Sequence, residues 1–481
     1  MLARAITHAL VGLEPRRVEV EAHVYDGTPA FVIVGLPDRA CAEARQRVKA
    51  GIASAELEFP RGKVTVNLAP AGLRKEGSGY DLPIALAVLA ASRQVPHDAL
   101  DRHAAVGELA LDGRLRRVGG VLAVAEGARR MGLERVLCPA DSAAEVALAG
   151  VEPVAFRHLA DTVAYLRGER EPDPVVPPRV HDPPPGPDLA DVRGQERARR
   201  ALEIAAAGSH NLLLVGPPGT GKTMLGRRLP GLLPPLDLEA ALEVTRIHSV
   251  AGLLPPEQPL VERPPFRAPH HSASTAAVVG GGPGIRPGEA SLAHRGVLLL
   301  DELAEFARPT LEALRQPLED GIVSIARAGG RATLPARFVV VGTMNMCPCG
   351  GRGDPELRCT CSTQRLNAYR DKLSHALLDR FDLVVQMPRP RAAELAVGPS
   401  EPTSAVAVRV AAARACTPLR RTPEAEELLT RAVDRLPLSG RGRARVARTA
   451  RTIAALAQAD AVAAEHVAEA LAYRSPRELV A

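Results

Sequence analysis

A glycine-rich segment, Gly216–Thr223, follows the apolar stretch Leu212–Val215 and precedes a helical pattern that begins at Met224. It fits the pattern GxxxxGK[ST], in which glycines let backbone N–H groups turn toward phosphate groups. The lysine of this pattern neutralises the β- and γ-phosphates, and the hydroxyl after it binds Mg²⁺. The predicted phosphate-binding residues are Gly216, Pro217, Pro218, Gly219, Thr220, Gly221, Lys222 and Thr223.

Two adjacent acids, Asp301 and Glu302, end a second apolar run that begins at Gly296. Consecutive apolar residues of this kind are typical of a buried parallel strand. We predict that Asp301, at its carboxyl end, holds Mg²⁺ and that Glu302 polarises the attacking water. Glu302 alone would also suit a helix cap, but the pair behind a phosphate loop predicts hydrolysis of a nucleoside triphosphate, with ATP favoured.

Three later polar positions complete the predicted site. Asn345 follows the apolar run Phe338–Val341, so its amide can orient the water against the γ-phosphate. Arg380 precedes another predicted strand, and we expect an exposed finger that reaches a neighbouring chain's phosphate; a salt-bridged surface residue is the alternative. Arg441, in an arginine-rich helix, is the first choice for a contact to the γ-phosphate of its own chain, and Arg445 is the second.

Four of the seven cysteines crowd into a Gly/Pro-rich loop after Asn345: Cys347, Cys349, Cys359 and Cys361. In a reducing compartment such clustering indicates metal binding rather than disulfides. Four thiolates can close a tetrahedral Zn²⁺ site and stiffen a loop that has no core of its own. Zinc is therefore the predicted ligand, with reduced surface thiols as the alternative.

These residues require a parallel sheet to position them, and the predicted fold class is α/β with a P-loop core. We predict an α+β domain over 1–170, a linker over 171–187 with eight prolines, an ATPase core over 188–390 and a helical lid over 391–481. Proline fixes φ and restricts its neighbour, so the linker is expected to be extended. In the first domain we predict strands at 30–34, 63–68 and 135–138 and helices at 40–53, 81–91 and 121–131.

Composition excludes several classes of protein. The 481 residues contain no apolar run long enough to span a membrane, and the N-terminus lacks a cleavage signal, so a soluble, cytoplasmic protein is expected. Basic residues number 61 and acidic residues 55, a net charge of +6 that does not by itself indicate nucleic-acid binding. Aromatic residues make up only 2%, so platforms for stacking bases are scarce.

The ordered set of phosphate loop, acidic strand end, asparagine and arginines resembles an AAA+ ATPase. Longer segments are similar to its magnesium-chelatase-like branch, and within it to the ComM/YifB family over the whole chain. The segments that carry this resemblance are Phe266–His271, Gly280–Gly282, Pro287–Val297, Asn67–Pro70, Arg74–Gly79 and Asp81–Leu86.

The resemblance implies a homo-hexameric ring that binds ATP and Mg²⁺ at its interfaces. It also implies ATP-driven branch migration of single-stranded and branched DNA during natural transformation, with recombination proteins as partners. Family insertions would line the pore, and 323–336, with Ser324, Arg327 and Arg331, predicts a hairpin that turns at Gly329-Gly330. His270 and His271 lie in another inserted loop. A chelatase-type motor for metal insertion is the alternative function.

Two N-terminal segments, Gly107–Gly120 and Lys75–Leu86, resemble the Lon protease domain, which uses a Ser–Lys dyad. Alignment places Gly79 at the serine position and Leu122 at the lysine position. An ATP-dependent protease is therefore disfavoured. We expect a structural or DNA-contacting collar in which Arg74 and Lys75 contact phosphates.

Overall fold

The structure is a computed structural model that describes residues 1–175, 186–282, 285–327, 330–396, 398–416, 419–436 and 438–474. Most of the predicted linker, 176–185, and the predicted turn residue Gly329 lie outside the described residues. Within the described ranges, no helix is both long enough and apolar enough to cross a lipid bilayer.

The N-terminal unit is built on a mixed seven-stranded sheet. Its strands are β1 (Leu2–Val11), β2 (Glu14–Tyr25), β3 (Ala30–Val34), β4 (Lys63–Ala69), β5 (His103–Ala105), β6 (Glu108–Leu109), β7 (Leu115–Arg116), β8 (Arg135–Pro139) and β9 (Glu152–Phe156). Its helices are α1 (Arg39–Ala42), α2 (Ala44–Ser54), α3 (Asp81–Ala91), α4 (Val121–Arg130), α5 (Ala143–Ala147) and α6 (Leu159–Leu166). The sheet order is β3-β4-β2-β1-β5-β8-β9, and β6 pairs with β7 separately.

The longest strands of this sheet, β1 and β2, form an antiparallel hairpin in register from Leu2 opposite His23 to Val11 opposite Glu14. Every residue of α3 is buried, because this helix packs against strands of the sheet, chiefly β1 and β2, and against α2. A helix that is apolar all round is expected to lie inside a core. The predicted strand at 30–34 and helix at 81–91 match β3 and α3.

Lys75 is enclosed by this unit, and the prediction that it contacts phosphates is wrong. Its side chain is fully buried, and its ammonium donates to the carbonyl oxygens of Gly35, at 2.9 Å, and Pro70. Burial lowers the pKa of Lys75, since the charged form loses its hydration. Arg74 is exposed and pairs with Glu76 at 3.1 Å.

The central unit contains a five-stranded parallel sheet. Its strands are β10 (Leu212–Val215), β11 (Phe266–Arg267), β12 (Gly280–Gly281), β13 (Arg286–Pro287), β14 (Val297–Leu300), β15 (Ile322–Arg327), β16 (Gly330–Pro335), β17 (Val339–Met344) and β18 (Leu383–Gln386). Its helices are α7 (Glu196–Gly208), α8 (Lys222–Gly226), α9 (Leu229–Leu232), α10 (Leu238–Val250), α11 (Thr275–Val279), α12 (Glu289–Leu292), α13 (Arg308–Ala313), α14 (Arg315–Asp320), α15 (Thr363–Arg370) and α16 (His375–Leu378).

The strand order β11-β14-β17-β10-β18 brings the predicted site together. Strands β14, β17 and β10 are parallel neighbours, so their carboxyl ends meet at one edge of the sheet. The phosphate loop, the acidic pair and Asn345 each follow one of these three strands. The parallel sheet and the α/β fold class are confirmed.

A hairpin of β15 and β16 stands beside this sheet, as predicted for 323–336. Val323, Ile325 and Leu334 belong to the same buried cluster as Leu13, at the turn between β1 and β2. The hairpin therefore packs against both the central unit and the N-terminal unit.

The C-terminal region is helical, in agreement with the sequence prediction. Its helices are α17 (Ala392–Ala396), α18 (Thr403–Ala415), α19 (Pro423–Arg435), α20 (Gly440–Leu456) and α21 (Ala464–Ala472). The apolar faces of α18 to α21, which include Val410, Leu429 and Val446, share one buried cluster with α7 and β10. The helical lid is thus packed onto the central sheet.

Helix α10 joins the N-terminal and central units through polar contacts around Glu145, whose side chain is 2% exposed. Glu145 accepts hydrogen bonds from Arg117 at 2.8 Å, from the N–H of Leu122 at 3.0 Å and from the Ser249 hydroxyl. The carbonyl of Ser249 accepts from the N–H of Gly120 at 2.8 Å. One buried carboxylate therefore holds two units together.

Glu145→Ala should destabilise the fold by about 3 kcal/mol, because it removes the acceptor of the buried Ser249 hydroxyl, of the Leu122 N–H and of the partly buried Arg117 guanidinium. Glu152→Ala is the control: its ion pair with Arg135 is exposed, and its loss should cost less than about 1 kcal/mol. Urea unfolding followed by circular dichroism measures both. Equal unfolding midpoints for the two variants would contradict the role given to Glu145.

Candidate nucleotide-binding site

The phosphate loop is organised around Lys222, a residue that is 8% exposed. Its Nζ donates to the carbonyl oxygens of Gly216 at 2.8 Å and Pro217 at 2.7 Å, and to Oδ1 of Asn345 at 3.1 Å. Burial lowers the pKa of Lys222 to about 8, although the carboxylates of Asp301 and Glu302 favour the charged form. The loop thus presents one enclosed cation to an incoming anion.

Two glycines of this loop adopt left-handed backbone conformations, with φ of +76° at Gly219 and +87° at Gly221. A Cβ at either position would meet no described atom within 4 Å. The space beside the loop backbone is therefore open, and glycine is the residue that reaches this φ without steric cost. Such a cradle fits a chain of phosphates.

Asp301 and Thr223 come together as the predicted metal site. Oδ1 of Asp301 accepts a hydrogen bond from the hydroxyl of Thr223 at 2.7 Å and another from Thr343 at 2.6 Å. A carboxylate and a hydroxyl beside phosphate oxygens are the ligands that Mg²⁺ uses in such sites, so these residues fit the ion. Thr343 was missed by the sequence analysis, although a polar residue inside the apolar strand β17 is a usable signal.

Glu302, the predicted general base, adopts a left-handed backbone conformation with φ of +55°. Its N–H donates to the Thr343 hydroxyl at 3.0 Å, and its side chain is 58% exposed. Nδ1 of His271 lies 3.5 Å from Oε2 of Glu302, and the ring of His271 lies against that of His270 with 4.1 Å between centroids. The inserted loop that holds the two histidines therefore reaches the predicted base.

Asn345 lies directly after β17, and its side-chain oxygen contacts Lys222. Its backbone carbonyl accepts a hydrogen bond from the Tyr369 hydroxyl at 3.2 Å. Next to the phosphate loop is a cavity of about 710 Å³. Its lining includes Gln195, Gly216, Pro217, Met346, Gly353 and Met387. A partly apolar cavity that adjoins a phosphate cradle fits a nucleotide base; the sequence analysis did not identify Gln195 or Met387.

The predicted arginines lie elsewhere. Arg380 was expected to be exposed, but its side chain is 6% exposed and its guanidinium pairs with Glu319. Arg441 pairs with the other oxygen of Glu319 at 2.7 Å. Arg445 lies 3.8 Å from Asp382, which precedes β18 at the edge of the sheet opposite the phosphate loop. Arg380 and Arg441 are thus brought together by one carboxylate, and their roles stay predictions.

The four clustered cysteines converge, with all four Sγ atoms within 4.8 Å of one another. The Sγ–Sγ distances are 3.4 Å for Cys347 to Cys349 and 3.7 Å for Cys359 to each of these two. Four ligands at the Zn–S distance of a tetrahedral site would be separated by about 3.8 Å. The thiols therefore fit a single tetrahedral metal ion.

The positions aligned with a Ser–Lys dyad are built into structural contacts. Leu122 is fully buried, and its N–H is part of the Glu145 joint. The nearby Ser78 hydroxyl donates to Glu108, and Lys75 is enclosed as described above. That this unit is not proteolytic stays a prediction.

The parallel sheet, phosphate loop and acidic strand end define an AAA+ type nucleotide-binding protein. Three family models match the chain. The model described as magnesium chelatase, subunit ChlI, matches residues 188–395, and the model described as subunit ChlI of Mg-chelatase matches residues 20–142. The model described as magnesium chelatase, subunit ChlI C-terminal, matches residues 417–474. The chain belongs to the ComM/YifB family of magnesium-chelatase-like AAA+ proteins.

Relatives match the chain over nearly its full length. An uncharacterized protein of Mycobacterium tuberculosis is 45% identical, over 98% of both chains. The uncharacterized protein YifB of Escherichia coli is 42% identical, over 98% of this chain and 96% of that protein. The competence protein ComM of Haemophilus influenzae is 40% identical, over 98% of this chain and 97% of that protein. The family membership suggests ATPase activity with ATP and Mg²⁺.

Nucleotide affinity should depend on pH through Lys222. With a pKa of about 8 in the free protein, the ammonium is charged below pH 8 and loses its charge above it. Affinity for a fluorescent ATP analogue should therefore change little up to about pH 7, be roughly halved at pH 8, and fall by up to about tenfold per pH unit above that.

Lys222→Arg is the matched control, because a guanidinium stays charged throughout this range. Its affinity, whatever its absolute value, should show no such fall. A wild-type affinity that is constant up to pH 9.5 would contradict the assignment.

Proposed function

We propose that this chain is an ATP-driven DNA motor that works as a hexamer and moves branch points in recombination intermediates. The name of the Haemophilus influenzae relative, a competence protein, supports a role with incoming DNA. The observation that carries the proposal is the β15–β16 hairpin, which packs against the central unit and keeps one polar face exposed.

The hairpin has one buried and one exposed face. Val323, Ile325 and Leu334 are buried, whereas Ser324, Arg331 and Thr333 are exposed, as alternation along strands requires. Ser324 lies directly opposite Thr333 across the two strands. Hydroxyls and a guanidinium on one face suit contacts to the phosphates of a DNA strand, which position a protein without reading sequence.

ATP with Mg²⁺ is the proposed fuel, and each residue of the site has a role in its hydrolysis. Lys222 would neutralise the phosphates, while Thr223 and Asp301 would hold the metal, which supplies charge neutralisation when bound. Glu302 would polarise water, and Asn345 would orient it against the γ-phosphate. We also propose that zinc occupies the four-cysteine cluster as a structural ion, since the sulfur spacing fits it.

Arg380 and Arg441 are proposed to act together on the nucleotide of a neighbouring subunit. Both guanidiniums contact the exposed Glu319, so the buried Arg380 and the exposed Arg441 lie next to each other. If both guanidiniums released Glu319 and bound the phosphates of a neighbour's nucleotide instead, their charges would stabilise the transition state of hydrolysis. An arginine supplied in trans is a recurrent device in phosphoryl transfer.

The decisive experiment is branch migration of a synthetic four-way junction, together with DNA stimulation of ATP hydrolysis. Wild-type protein should move the junction only with ATP. Arg331→Ala should weaken DNA binding. It should also reduce, by about one, the magnitude of the slope of the logarithm of the association constant against the logarithm of the salt concentration. Arg435→Ala, an exposed arginine on α19, is the control and should behave as wild type.

Glu302→Gln should bind ATP but hydrolyse it on the order of 10²- to 10⁴-fold more slowly, and it should not move the junction. This variant separates motion from mere binding. ATP hydrolysis that DNA does not stimulate, with immobile junctions, would instead favour a chelatase-type motor.

Arg380→Ala should lose ATP hydrolysis by about 10³-fold or more, because the finger stabilises transition-state charge. Mixing with Glu302→Gln subunits, which keep Arg380, should restore part of the activity if the finger acts in trans. The control mixes Arg380→Ala with an Arg380→Ala/Glu302→Gln double variant and should restore none. No recovery in the first mixture would refute an action in trans.

A further inference from the structure

The cysteine loop, defined here as residues 346–361, forms a wall of the candidate nucleotide site. Met346 and Gly353 line the 710 Å³ cavity beside Pro217. Gly350 lies against the phosphate loop: a Cβ there would be 2.7 Å from Cγ of Pro218. The cysteine loop is therefore in direct contact with the segment that holds the phosphates.

The same loop continues directly from Asn345. Cys347 lies two residues after Asn345, is fully buried, and accepts a hydrogen bond from the N–H of Arg352 at 3.2 Å. Because Asn345 accepts from Lys222, a displacement of Cys347 would be transmitted within two residues to the phosphate-binding lysine.

The far side of the cysteine loop is anchored to the segment after β18. Asp354, whose side chain is 1% exposed, lies 3.4 Å from Arg389, and Glu356 lies 2.8 Å from the same guanidinium. Two residues before Arg389 is Met387, another residue of the cavity lining. The loop thus spans the cavity from the phosphate loop to β18.

The cysteine loop has few apolar side chains with which to hold this position. Cys347 is its buried hydrophobic residue, and Leu357 is 52% exposed. Ordering such a segment costs conformational entropy that contacts of its own do not offset. A metal ion bound by four thiolates offsets that cost, as in other small metal-stabilised segments.

We propose that the metal ion of the four-cysteine cluster sets the affinity for nucleotide, because it holds the cysteine loop as one wall of the binding site. The inference rests on the proposed zinc and ATP sites. It is independent of whether the protein moves DNA. Metal-free protein would keep its fold and lose most of its nucleotide affinity.

The test removes zinc reversibly from the full-length protein with 1,10-phenanthroline, which binds Mg²⁺ weakly. Atomic emission measures the zinc content, circular dichroism the fold, and titration with a fluorescent ATP analogue in excess Mg²⁺ the affinity. Zinc should fall from one ion per chain to none, and the dissociation constant should rise about tenfold if the wall is then formed about a tenth of the time.

Added zinc should restore both values. Folded, zinc-free protein with unchanged affinity would overturn the proposal, as would protein purified from zinc-supplemented cells with no metal at the cysteines. A wild-type protein that holds zinc but binds no nucleotide would instead refute the proposed ATP site. Cys349→Ser/Cys361→Ser should reproduce the metal-free result, whereas Cys416→Ser, at an exposed cysteine on α18's end, should not.

Gly350→Ala tests the wall without touching a metal ligand. Its φ is +79° and its Cβ would press on Pro218, so it should keep zinc and lose nucleotide affinity several-fold. Gly132→Ala is the matched control, with φ of +76° and no described atom within 4 Å of the added Cβ. If Gly350→Ala binds nucleotide as Gly132→Ala does, the contact with the phosphate loop has no such role.

Discussion

The buried ammonium of Lys222 is the interaction on which the rest of the site depends. A buried charge must be satisfied by hydrogen bonds, and Lys222 takes its three acceptors from two different loops. Two acceptors belong to the phosphate loop itself, and the third is Asn345 after β17. Before any nucleotide binds, this cation therefore fixes the distance between the loop that holds phosphates and the residue proposed to orient water.

The parts of the site that follow from local sequence were predictable. Buried parallel strands are continuous apolar runs, so β10, β14 and β17 were visible, and the residues after them had to meet at one edge. The glycine pattern of 216–223 is equally local. The lid helices were predictable because their apolar residues recur at helical spacing, as in α20.

The parts that depend on distant partners were not predictable. Arg380 can be buried because Glu319, 61 residues away along the chain, accepts a hydrogen bond from its guanidinium. Lys75 is buried because backbone carbonyls at Gly35 and Pro70 satisfy it. The local sequence around an arginine or lysine is the same whether the side chain is exposed to solvent or is buried against a partner that is distant along the chain. The spacing of residues along the sequence therefore does not predict whether such a side chain is buried. The β1–β2 hairpin was missed although apolar and charged residues alternate along β2, a pattern that indicates a strand.

The N-terminal unit and the ATPase core are linked by the contacts of α10. Arg246 on α10 donates to Glu126 at 2.6 Å, and Ser249 at the end of α10 contacts both Glu145 and Gly120. The amino-terminal half of α10 carries Glu243, which pairs with His294 just before β14, the strand that Asp301 follows directly. A displacement of β14 during nucleotide turnover would thus reach the N-terminal sheet through one helix, whose buried polar contacts resist separation. The N-terminal unit is therefore expected to move with the core as one body.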